Sequence, residues 1–144
     1  MPHSFLDNSI GYSINIGALL LKRELILAFK SNGFEITPEQ WALLSRLNEA
    51  DGISQNELAK ATFKDNANIT RIINKLVSKR MVQKKLDDTD ARATKLFITG
   101  TGRAMISKLQ PLAVAVLNKA TKGLSKKEAM RLNMNIQKII ANLQ

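Results

Sequence analysis

The sequence predicts a mainly α-helical fold with one small β-hairpin. Apolar residues recur at helical spacing through most of the 144 residues. Signals for helix starts follow one another closely in the first half of the chain. The apolar spacing changes to alternation only between residues 81 and 98. A chain of this length fits one domain, with or without an appended element.

Composition excludes several classes of protein. Hydrophobic residues make up 44% and charged residues 24% of the chain, which is ordinary for a soluble globular protein. The chain has no cysteine, which excludes disulfides, thiolate metal sites and cysteine nucleophiles. Its one histidine, His3, cannot build a metal cluster or a histidine-based triad. We therefore expect no enzyme activity, no metal and no cofactor.

The start of the chain carries no targeting signal that we can identify. Residues 1–4 lack the basic and apolar regions of a signal peptide. The longest uninterrupted apolar run, Ile16 to Leu21, is far shorter than the roughly 20 residues that span a bilayer. We expect a cytoplasmic protein with no membrane partner.

The strongest compositional signal is positive charge. The chain has 22 Lys and Arg against 12 Asp and Glu, a formal net charge of +10. Residues 60–103 hold eleven basic and four acidic residues, a net charge of +7 in under a third of the chain. Such an excess favours an anionic polymer as partner. A solvated basic surface that only keeps the protein in solution is the alternative.

Two helices are predicted before residue 51. The first covers residues 10–30 and reads as largely buried, and it ends at Ser31-Asn32-Gly33, where glycine allows the left-handed exit. The second begins with Thr37 as cap, Pro38 in the first turn and Gln40 completing a capping box. It runs to Ala50.

The next segment has the pattern of a helix-turn-helix. Ser54 and Glu57 form a second capping-box pattern before a short helix. Asp65 or Asn66 can cap the helix that follows. The inner face of that helix is apolar and its outer face is polar and rich in hydrogen-bond donors. Two short helices joined by a tight turn, the second with amides and arginine outward, are typical of DNA-binding modules.

A hairpin is predicted directly after these helices. Residues 81–86 and 93–98 alternate as strands, and the polar segment 87–92 joins them. A hairpin in this position is a wing, so the fold predicted for residues 36–100 is a winged helix-turn-helix.

Long helices flank the winged part. One begins at Thr101 and contains Pro111, which we expect to kink it or leave a carbonyl unpaired. Ser125 and Glu128 cap a last helix after Gly123. Residues 8–32 and 101–144 carry more apolar surface than a small winged module covers. We expect them to form a homodimer interface; packing on each other within one subunit is the alternative.

The order of these elements resembles the MarR family of winged-helix transcription regulators. The most specific segment is Asp90-Ala91-Arg92-Ala93-Thr94-Lys95-Leu96-Phe97-Ile98-Thr99, which is similar to the family's wing signature, with Gly102 and Arg103 following. Residues 37–47 and 54–59 match in order and spacing. The resemblance implies a homodimer that binds a roughly palindromic operator in double-stranded DNA, most often as a repressor, and that a small ligand can release.

Two positions depart from the family pattern. Arg80 stands where the family usually has glycine, so it either adopts the left-handed conformation or ends the helix differently. Lys84 and Lys85 replace an arginine that is common in the first wing strand. We expect neither departure to remove DNA binding.

The residue types on the predicted interface suit DNA. Asn pairs with adenine, Arg with guanine, and Thr can contact a thymine methyl. Arg71 and Lys75 can instead meet phosphates, which gives affinity without sequence preference. A helix cap is the alternative for Asn66. The predicted DNA-binding residues are Ser54, Gln55, Lys64, Asn66, Asn68, Thr70, Arg71, Lys75, Asp90 and Arg92.

The wing tip supplies the last two of these residues. Arg92 suits a narrow minor groove, where negative potential is concentrated. Asp90 can hold a neighbouring basic residue by a charge-assisted hydrogen bond. A plain solvated turn is the alternative for this acidic loop. A nonspecific, DNA-architectural basic protein remains the alternative function.

The resemblance also implies an effector, commonly a small aromatic or phenolic anion held between the dimerisation helices and the winged part. The candidate lining residues are Tyr12, Ile16, Phe34, Trp41 and Leu44. Aromatic and aliphatic residues at helical spacing more often belong to a core, which is the alternative for each of them.

Overall fold

The computed structural model describes residues 4–86, 89 and 94–144. Its elements in chain order are α1 (Ile10–Ser31), α2 (Pro38–Glu49), β1 (Ile53–Ser54), α3 (Gln55–Thr62), α4 (Asn66–Ser78), β2 (Val82–Leu86), β3 (Thr94–Ile98), α5 (Gly100–Ala120) and α6 (Lys126–Leu143). The predicted fold class, mainly helical with a small wing, is confirmed. None of the helices in the described ranges is long and apolar enough to cross a membrane.

The sheet has one strand more than the sequence predicts. Its order is β1-β3-β2, and both pairings are antiparallel. In the wing, Val82 pairs with Ile98 and Leu86 with Thr94. β1 contributes only Ile53 and Ser54, which pair with β3. Two residues at a helix start cannot show alternation, so the pattern of the sequence could not reveal this strand.

A continuous apolar core joins α2, α3, α4 and the sheet to the end of α1 and the start of α5. The ring of Phe29 meets that of Trp41 edge to face, with centroids 6.1 Å apart. This core anchors the C-terminal end of α1 to the winged part. Its largest fully buried side chains are Phe29, Leu43, Leu44, Leu47, Leu58, Ile69, Ile73, Leu76, Leu96, Leu109 and Val82.

Most predicted helix starts are confirmed. Thr37 and Gln40 form a complete capping box, as do Ser125 and Glu128. The hydrogen bonds from the backbone and side chain of Ser125 lower the pKa of the Glu128 carboxyl. At Ser54 only the side-chain half of the box forms: its hydroxyl accepts from the Glu57 N–H at 3.1 Å. Ser54 itself lies in β1, where its backbone pairs with β3.

The expectation that α1 is largely buried is wrong for the single chain. Phe29 is its one fully buried residue, and α6 has none. Both helices leave large apolar side chains exposed because no element of the described chain covers them. Those on α1 and its approach are Phe5, Leu6, Ile10, Tyr12, Ile14, Ile16, Leu19, Leu20, Ile26 and Leu27; those on α6 include Met130, Leu132, Met134, Ile140 and Leu143.

α5 continues through Pro111 from Gly100 to Ala120. Proline has no N–H, so the carbonyl of Ser107 lacks its usual helical donor at that point. After α5, Gly123 takes a φ of +91°, as the predicted exit before α6 requires.

The C-terminal end of α4 lies against the start of α5. Arg80 adopts the left-handed conformation with φ 60°, so the first of its two predicted outcomes is confirmed. The Arg80 N–H donates to the carbonyl of Val77, and the Met81 N–H to that of Leu76. These bonds are the usual left-handed closure of a helix. Gly102 then packs so closely that an added Cβ would lie 2.5 Å from the Met81 carbonyl oxygen.

We therefore predict that Gly102→Ala lowers the free energy of unfolding by about 1–3 kcal/mol, the usual cost of an overpacked site. Gly100→Ala is the matched control in the same first turn, since a Cβ there meets nothing within 4 Å. It should be neutral or stabilise by less than about 1 kcal/mol. Chemical denaturation of both variants tests this, and equal stabilities would contradict it.

An ion pair joins α1 to α2. The Lys22 ammonium lies 2.5 Å from the Glu39 carboxylate. Burial raises the pKa of Glu39, but the hydrogen bond from Lys22, a backbone hydrogen bond and the charges of Lys22 and Lys64 outweigh it. The net effect holds the pKa below its ordinary value of 4.5.

A carboxyl whose pKa is lowered by folding stabilises the protein above its unfolded pKa and stops doing so as the pH falls through the folded value. Glu39→Gln should therefore be less stable than the parent at pH 7, with a difference that shrinks below about pH 4.5. Glu49→Gln is the control, because among the described residues Glu49 pairs with Arg46 alone, on an exposed surface. A stability difference that does not change between pH 3 and 7 would contradict the prediction.

Candidate nucleic-acid interface

The two faces of α4 differ sharply. Ile69, Ile72, Ile73 and Leu76 are buried in the core. Asn66, Thr70, Arg71, Asn74 and Lys75 are exposed on the other side. Because the apolar face is held in the core, the helix has one orientation, and the polar face points away from the protein.

Three side chains along α4 form a hydrogen-bonded series. Asp65 caps the helix by accepting from the Asn68 N–H at 2.8 Å, and its second oxygen accepts from the Asn68 amide at 3.1 Å. The Asn68 side-chain oxygen accepts from the Arg71 guanidinium at 2.6 Å. Spacing of three residues places the groups on one face. Asn68 therefore holds the Arg71 side chain, and the DNA contacts predicted for both residues stay predictions.

The start of α3 is tied to the middle of α4. The Gln55 side-chain amide donates to the Thr70 hydroxyl at 2.8 Å, and that hydroxyl donates to the backbone carbonyl of Asn66 at 2.8 Å. The structure thus brings together three of the predicted DNA-binding residues. Asp65, and not Asn66, is the helix cap, which leaves the Asn66 side chain exposed.

One contact from the wing to α4 was not predicted. The Lys84 ammonium donates to the Asn74 side-chain oxygen at 2.6 Å. Asn74 lies one turn beyond Arg71 on the polar face, so helical spacing could have identified it. The contact itself could not be foreseen, because it depends on where β2 packs. It extends the polar surface from α4 onto the wing.

The remaining predicted residues lie around this surface. Ser54 is half-buried and uses its hydroxyl as the cap of α3. Lys64 is half-buried and close enough to Glu39 to influence its pKa. Lys75 is exposed on α4. Asp90 and Arg92 lie outside the described residues, and their roles at the wing stay predictions.

Charge alone does not single out this surface. Residues 104–144 carry seven basic residues and one acidic residue, a net charge of +6, nearly as high as the +7 of residues 60–103. The prediction from sequence used only the charge of residues 60–103. What distinguishes the surface of α4 and the wing is its ordered set of amide, hydroxyl and guanidinium groups, which offers base-reading chemistry as well as charge.

The five candidate effector residues do not form one cluster. Leu44 is fully buried in the core, and Phe34 packs against that core. Tyr12 and Ile16 are exposed on the N-terminal half of α1. Trp41 lines a cavity of about 470 Å³ between α2 and α5, together with Arg46, Ile106 and Gln110. The effector site remains a prediction.

Comparison with known proteins gives one family. A sequence model of the MarR family matches residues 34–93. The HTH-type transcriptional repressor IacR of Pseudomonas putida is 26% identical over 105 residues, which cover 73% of this chain and 63% of IacR. The chain thus spans less than two thirds of that relative's length.

Solved structures share the fold over nearly the whole chain. A probable transcriptional regulator from Pseudomonas aeruginosa matches with a TM-score of 0.82 and 27% identity, covering 93% of this chain and 98% of that one. A mutant MarR from E. coli complexed with operator DNA matches with a TM-score of 0.83 and 24% identity, covering 95% and 99%. The latter likeness is one of fold. Together with the arrangement of α3, α4 and the wing, these matches show that the chain is similar to transcription regulators of the MarR family along most of its length.

Proposed function

We propose that this protein is a transcriptional regulator that binds a palindromic operator in double-stranded DNA as a homodimer and acts as a repressor. The observation that carries the proposal is the polar face of α4, on which Arg71 is held outward by Asn68 at 2.6 Å. Similarity to the transcriptional repressor IacR supports it.

The proposed mode of binding follows from the chemistry of α4. A helix of this kind fits the major groove of B-DNA. Arg71 would donate two hydrogen bonds to a guanine, and the exposed amide of Asn66 would pair with an adenine. Lys75 and Lys84 would neutralise phosphates beside the groove. Arg92, in the segment that joins the wing strands, would enter the neighbouring minor groove.

The alternative is a basic protein that binds DNA without sequence preference. Phosphate contacts alone would give such a protein its affinity, and an ordered base-reading face would be unnecessary. The hydrogen-bonded series from Asp65 to Arg71 favours the regulator, because lysines at any orientation suffice for phosphates.

Selection of bound fragments from genomic DNA, followed by competition, tests the function. We expect enrichment of a sequence with two inverted half-sites centred about 34–36 Å apart, the distance between successive major grooves. At about 150 mM salt, unlabelled selected DNA should compete at least roughly a thousandfold better than random DNA of equal length. Equal competition by the two would overturn the regulator and leave the nonspecific alternative.

The dimer is proposed from the exposed apolar surface of α1 and α6. α6 is capped at Ser125, yet none of its residues is buried in the single chain. Leu132, Ile136, Ile139, Ile140 and Leu143 follow helical spacing and form one stripe along it. Burying such a stripe stabilises by about 25 cal/mol per Å² of apolar surface. A second copy of the chain can supply the matching surface.

We predict that Leu132→Glu converts the dimer to a monomer or unfolds it, because a carboxylate would be buried without a partner. Ala141→Glu is the control, since Ala141 is exposed and the substitution adds the same charge about 180° around the helix from Leu132, away from the stripe. Sedimentation at micromolar concentration measures both variants and the parent. A parent that is a stable folded monomer, or a Leu132→Glu variant that remains a dimer, would contradict the proposed interface.

We propose that the effector binds in the cavity between α2 and α5. It is lined by the Trp41 ring and by Ile106, and Arg46 and Glu49, which form an ion pair at 3.5 Å, supply its charged groups. An apolar cavity with a few polar groups suits a small aromatic effector.

A further inference from the structure

One hydroxyl links the recognition helix to the long helix α5. The Thr99 side-chain oxygen donates to the backbone carbonyl of Arg80 at 2.7 Å. The same oxygen accepts from the Gly102 N–H at 3.0 Å and so caps α5. Arg80 follows Lys79, the C-cap residue of α4. Thr99 therefore closes the end of one helix and begins the other.

The backbone around this hydroxyl leaves little freedom. The Thr99 N–H donates to the Met81 carbonyl at 3.0 Å. Gly102 packs onto that same carbonyl so closely that it has no room for a side chain. Arg80 is held in a conformation that a non-glycine residue adopts at an energetic cost. The Thr99 hydrogen bond to the Arg80 carbonyl helps to hold this strained residue in place.

A second set of contacts, made by Asp51, holds the same joint, by which we mean the junction of α4, β3 and α5 around Thr99. One oxygen of the Asp51 carboxylate accepts from the Ile98 N–H at 2.8 Å, at the end of β3. Its other oxygen lies 3.3 Å from the Arg103 guanidinium, in the first turn of α5. Because the contacts of Thr99 and Asp51 both hold the start of α5, a rotation of α5 would also move β3 and the end of α4.

We propose that Thr99 is a positioning residue for DNA binding: its hydroxyl fixes the angle between the recognition helix and α5, and thereby the placement of the two α4 helices in the dimer. α5 has 21 residues and is about 31 Å long. If α5 tilts by roughly 10° about one of its ends, the other end moves by about 5 Å, which is more than the rise of one base pair. The inference rests on the proposed function in one respect only, the effect on operator binding.

Two substitutions separate the hydroxyl from the shape of the side chain. Thr99→Val keeps the shape and removes both hydrogen bonds, whereas Thr99→Ser keeps the hydroxyl. Thr37→Val is the matched control for loss of a helix cap. The Thr37 oxygen accepts from the Gln40 N–H at 3.1 Å within one helix start and is not part of the joint.

A change in the angle between α4 and α5 is detected through the distance between two spin labels, one on each helix. The chain has no cysteine, so Ser78→Cys on α4 and Lys108→Cys on α5 label one site each. Dilution with excess unlabelled chain restricts the measurement to distances within one subunit. We expect one narrow distribution in the parent, in Thr99→Ser and in Thr37→Val, and a shifted or broadened one in Thr99→Val.

DNA binding gives the second readout. In unlabelled proteins, Thr99→Val should lose about tenfold in operator affinity, the scale of one lost hydrogen bond, with affinity for random DNA unchanged. Thr99→Ser should recover most of that loss. A parental distance distribution in Thr99→Val would overturn the inference, as would an equal loss of operator affinity in Thr37→Val. A parent that does not distinguish operator from random DNA would refute the proposed function, while the distances still decide whether Thr99 sets the joint.

Discussion

Burial of the isoleucine face of α4 is the constraint on which the rest of the structure depends. Ile69 and Ile73 are completely inaccessible to solvent, and Leu76 lies in the same core. Removing any of these side chains from the core would cost several kcal/mol, about 2–5 for truncation to alanine. That energy far exceeds the contribution of any polar contact on the outer face. The core therefore sets the direction of the polar face, and the hydrogen bonds on that outer face only position the side chains that it carries.

The same reasoning explains why a single copy of the chain leaves much of its apolar surface uncovered. The winged part covers the apolar surface of α2, α3 and α4, but most of α1 stays exposed and α6 has no buried residue. Exposed stripes of this length are characteristic of surfaces that associate. In the proposed dimer these helices would hold two recognition helices at a fixed separation. The joint at Thr99 would connect that separation to the orientation of α4.

Local chemistry made much of the fold predictable. The capping boxes at Thr37 and Ser125 depend on residues three positions apart, and the structure has both. The wing strands and the amphipathic α4 follow from periodicity alone. The left-handed conformation of Arg80 was one of two outcomes that its position allowed. These features need no knowledge of distant partners.

The rest depends on contacts between segments that are far apart in sequence. β1 exists only because β3 lies beside it. Lys84 reaches Asn74 because β2 packs next to α4. The burial of α1 was overestimated because periodicity shows that a face is apolar but not which molecule covers it. The link from Asn68 to Arg71 is local, but it depends on the side-chain rotamers, which a residue pattern does not reveal.

The most direct test of the central claim, that α4 presents a preorganised arginine to DNA, is a double-mutant cycle on the selected operator. Asn68→Ala and Arg71→Ala are measured singly and together in operator-binding titrations at fixed salt. If Asn68 acts by orienting Arg71, the double variant should bind about as well as Arg71→Ala alone, with a coupling energy of about 1 kcal/mol or more. Strictly additive losses, or parental affinity in both single variants, would contradict the account.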